Sequence, residues 1–117
     1  MFQAKFRTRF NPYNSRITHH NYYCGECCKI TEEIFKKEGI NLTLFEDGLK
    51  IIKSGSVGDQ GRGFTYIKYE YYENGKKKDF SILVIQHNGL DIEISIKYND
   101  YSNILSKVVK KIKKMVL

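Results

Sequence analysis

At 117 residues, with a hydrophobic fraction of 41%, nine Tyr and seven Phe, the chain has the composition of one globular domain rather than of a disordered segment. A formal net charge of +7 and a pI near 9.3 favour encounter with polyanions, which leaves nucleic acid, an anionic membrane or an acidic protein as partners. No stretch approaches the roughly 18 to 20 uninterrupted apolar residues of a membrane span and the amino terminus lacks the apolar core of a signal peptide, so a cytoplasmic protein with no membrane partner is expected.

Residues 2 to 10 alternate, with Phe2, Ala4, Phe6, Thr8 and Phe10 on one side and Gln3, Lys5, Arg7 and Arg9 on the other. This predicts a strand with one apolar and one cationic face, read either as a charged edge strand or as a basic arm touching phosphate. Turn chemistry at Asn11-Pro12-Tyr13-Asn14-Ser15 ends it. The chain then divides into a basic strand or arm over 1–20 and a single α+β domain over 21–117.

A helix is predicted from about Tyr22 to Glu38, because Tyr23, Cys27, Ile30 and Ile34 recur at helical spacing with Phe35 beside them. Gly39 supplies its left-handed stop. Ile40, Leu42 and Leu44 alternate out of the helix, and Glu46-Asp47-Gly48 is expected to turn the chain into Leu49, Ile51 and Ile52 as a first hairpin. The stretch 53–63 then reads as a loop with four glycines and Arg62. It lacks the Gly-Lys-Ser/Thr ending and following helix of a nucleotide-binding loop.

From Phe64 to Tyr98 three antiparallel strands are predicted, joined by turns at Glu73-Asn74-Gly75-Lys76 and His87-Asn88-Gly89-Leu90. Asn-Gly between apolar runs favours a type I′ turn, which needs positive φ at both central residues. Two-residue turns set Ile67 opposite Ile82, Tyr69 opposite Phe80, Tyr66 opposite Leu83, Phe64 opposite Ile85, Ile85 opposite Ile92 and Leu83 opposite Ile94. Leu90, Ile92, Ile94, Ile96 and Tyr98 face a core. That register places Phe64, Tyr66, Leu83 and Ile85 beneath the helices and leaves Ile67, Tyr69, Tyr71, Phe80, Ile82 and Val84 on the other face, to be covered by the apolar side of the 2–10 strand or the 40–53 hairpin, or by a second copy, a partner protein or stacked bases. Asn99 or Asp100 is expected to cap a terminal helix with an apolar stripe of Tyr101, Ile104, Leu105, Val108, Val109, Ile112, Met115 and Val116, and with lysines over the rest.

Two constellations invite chemistry. His19, Cys24, Cys27 and Cys28 could supply four zinc ligands, but structural sites draw a second pair from a distant segment and only His87 is available. Buried, reduced cysteines are the preferred reading, with no cofactor. No oriented base or oxyanion arrangement accompanies a cysteine nucleophile, so no enzyme is expected. Positive charge is the stronger signal: Lys5, Arg7, Arg9, Arg16, Arg62, Lys76, Lys77 and Lys78, together with the lysine face of the last helix and interleaved Tyr and Phe, suit contact with a nucleic-acid backbone.

Arg62-Gly-Phe-Thr-Tyr-Ile-Lys-Tyr69 resembles the first ribonucleoprotein signature of RNA-recognition motifs, with Thr65 in place of the small residue. The expected register turns Phe64 and Tyr66 inward, and two strands follow where that family needs a helix, so the stretch is read as a Tyr-rich strand. The ending from Asn88 to Lys107, with the basic arm, looks like that of some phage-encoded anti-CRISPR proteins that inhibit Cas9. The resemblance implies a non-enzymatic inhibitor of a complex of Cas9 with guide RNA, the arm among its contacts, acting in the cytoplasm of a bacterial host. The fold expected is α+β, an antiparallel meander sheet of about five strands with an amino-proximal and a carboxy-terminal helix packed on it. The function expected is nucleic-acid or nucleoprotein binding, with a homodimeric or partner-binding module, zinc-stabilised or not, as the alternative.

Overall fold

The computed structural model describes residues 2–9, 19–53, 62–88 and 91–116. The expected turn at 11–15, residues 54–61 of the loop expected at 53–63, Arg16, and Gly89 with Leu90 of the second turn lie outside these residues, while the ends of that expected loop are strand, Lys53 closing one and Arg62 and Gly63 opening the next. The chain runs β1 (Phe2–Arg9), α1 (His19–Glu38), β2 (Leu42–Lys53), β3 (Arg62–Glu73), β4 (Lys76–Asn88), β5 (Asp91–Tyr98) and α2 (Asn103–Val116). One antiparallel sheet forms in the order β1-β5-β4-β3-β2, so the expected meander is present and β1 adds to its β5 edge. Both helices pack on one face of the sheet, giving the two-layer α+β fold.

Asn74 and Gly75 have φ of 54° and 74°, as a type I′ turn requires, and every cross-strand pair expected between β3 and β4 is present. The next ladder differs by one residue. Gln86 pairs with Ile92, Val84 with Ile94 and Ile82 with Ile96, because the register shifts between Gln86 and Asn88 and leaves His87 without a ladder partner. With a side-chain period of two, that one residue exchanges the faces of β3 and β4. Ile67, Tyr69, Tyr71, Phe80, Ile82 and Val84, expected on an open face, are buried under the helices at 6% exposure or less. Phe64, Tyr66, Leu83 and Ile85, expected in the core, are only half-buried on the face that carries no helix. β5 is as expected: Ile92, Ile94 and Ile96 are fully buried.

The hairpin expected at 40–53 is absent. Leu42–Lys53 is one strand, and the extra residue Phe45 bulges between Leu44, opposite Tyr69, and Glu46, opposite Lys68. Gly48 lies in that strand opposite Tyr66, whose ring crosses it so closely that a Cβ there would meet Cε1 at 2.3 Å. The glycine serves a close approach within the strand rather than a turn.

α1 begins three residues before the expected Tyr22, at His19, and ends as expected. Gly39 has φ 72°, its N–H donates to the Lys36 carbonyl at 3.1 Å, and the Ile40 N–H donates to the Phe35 carbonyl at 3.0 Å. These are the paired bonds of a Schellman stop, with Ile40 packing beside Phe35. The innermost stripe of α1 is Cys24, Cys27, Thr31 and Phe35, while Tyr23, Ile30 and Ile34 are half-buried. Thr31 satisfies its buried hydroxyl by donating to the Cys27 carbonyl at 2.7 Å. Phe35 is the hub of the aromatic core, edge-on to Tyr71 at 5.0 Å and stacked with Phe80 at 5.8 Å. α2 is capped by Ser102, whose carbonyl accepts from the Ser106 N–H at 3.0 Å, and not by Asn99 or Asp100. Tyr101 consequently precedes the helix and is exposed, and Ile104, Leu105, Val108 and Ile112 form the buried stripe.

Candidate nucleic-acid interface

The cations singled out in the sequence are largely spoken for. Arg7 on β1 sits opposite Glu93 on β5 and holds Asp91 at 2.6 Å and Glu93 at 3.2 Å. Lys76 lies 3.5 Å from Asp100, Lys77 lies 3.5 Å from Glu70, and Lys78 donates to Glu73 at 2.9 Å. The bond to Glu73 holds the Lys78 ammonium above the usual lysine range. Each of these carboxylates competes with any phosphate for its cation. Lys5 is exposed and makes no ion pair among the described residues; the side chains of Arg9 and Arg62, like Arg16, lie outside them.

A different surface carries unneutralised charge. Because Ile104, Leu105, Val108 and Ile112 point into the core, the helical period turns Lys107, Lys110, Lys111 and Lys114 outward at i, i+3, i+4 and i+7 as one stripe. α1 packs alongside, and Ile34, Lys37, Glu33 and Glu38 form the opposite wall of a groove of about 600 Å³. Lys107 reaches Glu38 across it. Lys110, Lys111, Lys113 and Lys114 make no ion pair among the described residues. The groove therefore presents flexible ammonium groups over a strip of aliphatic side chain, in the form that suits a phosphate backbone. The lysine stripe was legible from the helical period. Its pairing with Lys37 and the neutralisation of the turn lysines were not, since both depend on contacts remote in sequence.

The helix-free face of the sheet has another character. Phe64 and Tyr66 lie 6.2 Å apart there with Leu83 and Ile85 beside them, so the two rings of the ribonucleoprotein-like stretch do face away from the helices, against expectation. Two strands follow β3 all the same. Charges of both signs alternate around these residues: Lys5, Arg7, Lys68 and Lys97 against Glu70, Asp79, Asp91 and Glu93. Lys68 stands over the exposed ring of Phe45 at 5.4 Å.

Cys24 and Cys27 are core residues, and burial pushes the Cys27 thiol up to about 12. Cys28 is half-buried; its hydrogen bonds with Cys24 and then Tyr69 hold its thiol below the usual range against the opposing effect of burial. The Tyr69 hydroxyl, raised by burial, donates to Glu32 at 3.3 Å. The side chain of His19 lies outside the described residues. Among the described residues no three His, Cys, Asp or Glu side chains converge as a metal site, and no helix is long and apolar enough to cross a membrane. No family model, curated protein or solved structure matches the chain.

Proposed function

We propose that the protein is a basic, non-enzymatic binder of nucleic acid or of a nucleoprotein surface, and that the groove between α1 and α2 makes the principal contact. The observation that carries this reading is the row of Lys110, Lys111 and Lys114, exposed and without an ion pair among the described residues, which with Lys37 and Lys107 outnumber Glu33 and Glu38 in the groove. Lysines so placed release counterions on meeting phosphates, which supplies affinity without base recognition. The particular partner proposed is a complex of Cas9 with its guide RNA, met in the cytoplasm of a bacterial host by a phage or mobile-element inhibitor. Its support is the strand-then-helix ending, which resembles that of such inhibitors.

The test is fluorescence anisotropy with a labelled oligonucleotide at rising salt. Binding should weaken steeply with salt, and Lys110→Gln, Lys111→Gln and Lys114→Gln together should abolish it at a salt concentration where Lys76→Gln with Lys77→Gln has little effect. No binding at low salt sinks the reading. Cas9 cleavage in the presence of the protein tests the narrower partner: undiminished cleavage removes the inhibitor and leaves nucleic-acid binding standing.

A further inference from the structure

The sheet has two edges, β1 and β2, and they differ. β1 alternates charge along its outward face, the arrangement that discourages another strand from pairing. β2 is a twelve-residue strand without proline whose outer edge no described strand covers. At its amino end Leu44 and Phe45 are 52% and 57% exposed, an adjacent apolar pair unusual for a surface strand. Leu44 also borders a shallow hollow of about 340 Å³ with Phe35, Ile40, Leu42 and Tyr69, where α1 stops short of covering the edge.

The order of residues in β2 is complementary to itself when reversed. Antiparallel pairing about Gly48 sets Glu46 of one copy opposite Lys50 of the other, twice by symmetry, and brings Leu44-Phe45 to Ile51-Ile52. Glu46, Gly48 and Lys50 are register partners of Lys68, Tyr66 and Phe64 of β3, so the three are alternate positions of one uninterrupted ladder, with opposite charges at the two positions that the two-fold sets against each other. The regular ladder from Glu46 to Ile51, bounded by the irregularities at Phe45 and Ile52, delimits the backbone ladder between copies and leaves Leu44-Phe45 beside Ile51-Ile52 as its apolar flanks. Like charges oppose nowhere in this register.

We propose that β2 is a homodimer interface, through which two copies join their sheets edge to edge about a two-fold axis perpendicular to the sheet. The occupant is a second copy because the strand's apolar and charged positions match their own reverse. The partner surface expected from the sequence, Ile67 to Val84, is not available for this, being beneath the helices. Such an axis keeps all helices on one side, so the two α2 lysine stripes face the same way. The proposal stands independently of what those lysines bind.

Sedimentation velocity on the full chain in reducing buffer, across micromolar concentrations, tests it. The expected result is a concentration-dependent dimer. Phe45→Lys, at an exposed position, should weaken it about tenfold or more with unchanged circular dichroism. Glu46→Lys should dissociate the dimer by opposing like charges, and adding Lys50→Glu should restore it. A monomer at every concentration, or a dimer indifferent to Phe45→Lys and to both charge reversals, overturns the proposal.

Discussion

Ser102, the residue that opens α2, donates its hydroxyl to Oε1 of Glu73 at 3.1 Å, joining the start of the last helix to the end of β3. Lys78 donates to the same oxygen at 2.9 Å and to the Tyr101 carbonyl at 3.3 Å, so one carboxylate gathers a helix cap, a strand and the chain entering the helix. Ser102 is 1% exposed, and its removal leaves Glu73 short of a donor in a place water reaches poorly. Ser102→Ala should cost about 1–2 kcal/mol in urea unfolding. Glu73→Ala should cost more, since Lys78 then loses its counter-ion as well.

The exchange of sheet faces is open to a direct thermodynamic test. Ile82 is fully buried while Leu83, its neighbour, is half-buried on the helix-free face. Ile82→Ala should therefore cost roughly 2–5 kcal/mol by chemical denaturation, and Leu83→Ala well under that. The reverse order would restore the register expected from equivalent two-residue turns.

Gly48 and Tyr66 constrain each other. A methyl group at position 48 would meet the Tyr66 ring at 2.3 Å, so Gly48→Ala must displace the far end of a half-buried side chain and should cost about 1 kcal/mol. In a Tyr66→Ala background the same change should be nearly neutral, a non-additivity read from the double-mutant cycle.

Stability should fall on the alkaline side. The buried Cys27 thiol is pushed from 9.0 up to about 12, and burial also raises the Tyr69 and Tyr71 hydroxyls. Each group loses its proton first in the unfolded chain, so its contribution is fully present below the unfolded value and is lost as pH rises toward the folded one. Cys28, held below its usual range, works the other way below the unfolded thiol value, so the decline in urea midpoints should set in only above about pH 9. Cys27→Ala should lower the plateau but flatten the first part of the decline.

Local pattern identified much of the architecture. Positive φ at Asn74 and Gly75, the Gly39 stop and the burial of Ile92, Ile94 and Ile96 on one side of β5 each depend on a few adjacent residues, and each is where the chain's own chemistry puts it. Glu46-Asp47-Gly48 had the composition of a turn, yet pairing with β3 keeps it extended, because a long ladder outweighs a local turn preference. The candidate site was half legible: the α2 lysine stripe follows from helical period, whereas the carboxylates that neutralise Arg7, Lys76, Lys77 and Lys78 are brought by other strands and turns.

By itself the sequence determined the two helices, the three strands from β3 to β5, the β3–β4 register and which side of β5 is buried, since these rest on spacing and turn chemistry. Only the tertiary structure decided which side of β3 and β4 meets the helices. The run Ile82 to Ile85 is apolar on both sides and cannot choose, so the choice falls to one extra residue, His87, unpaired in the ladder between Gln86 and Asn88.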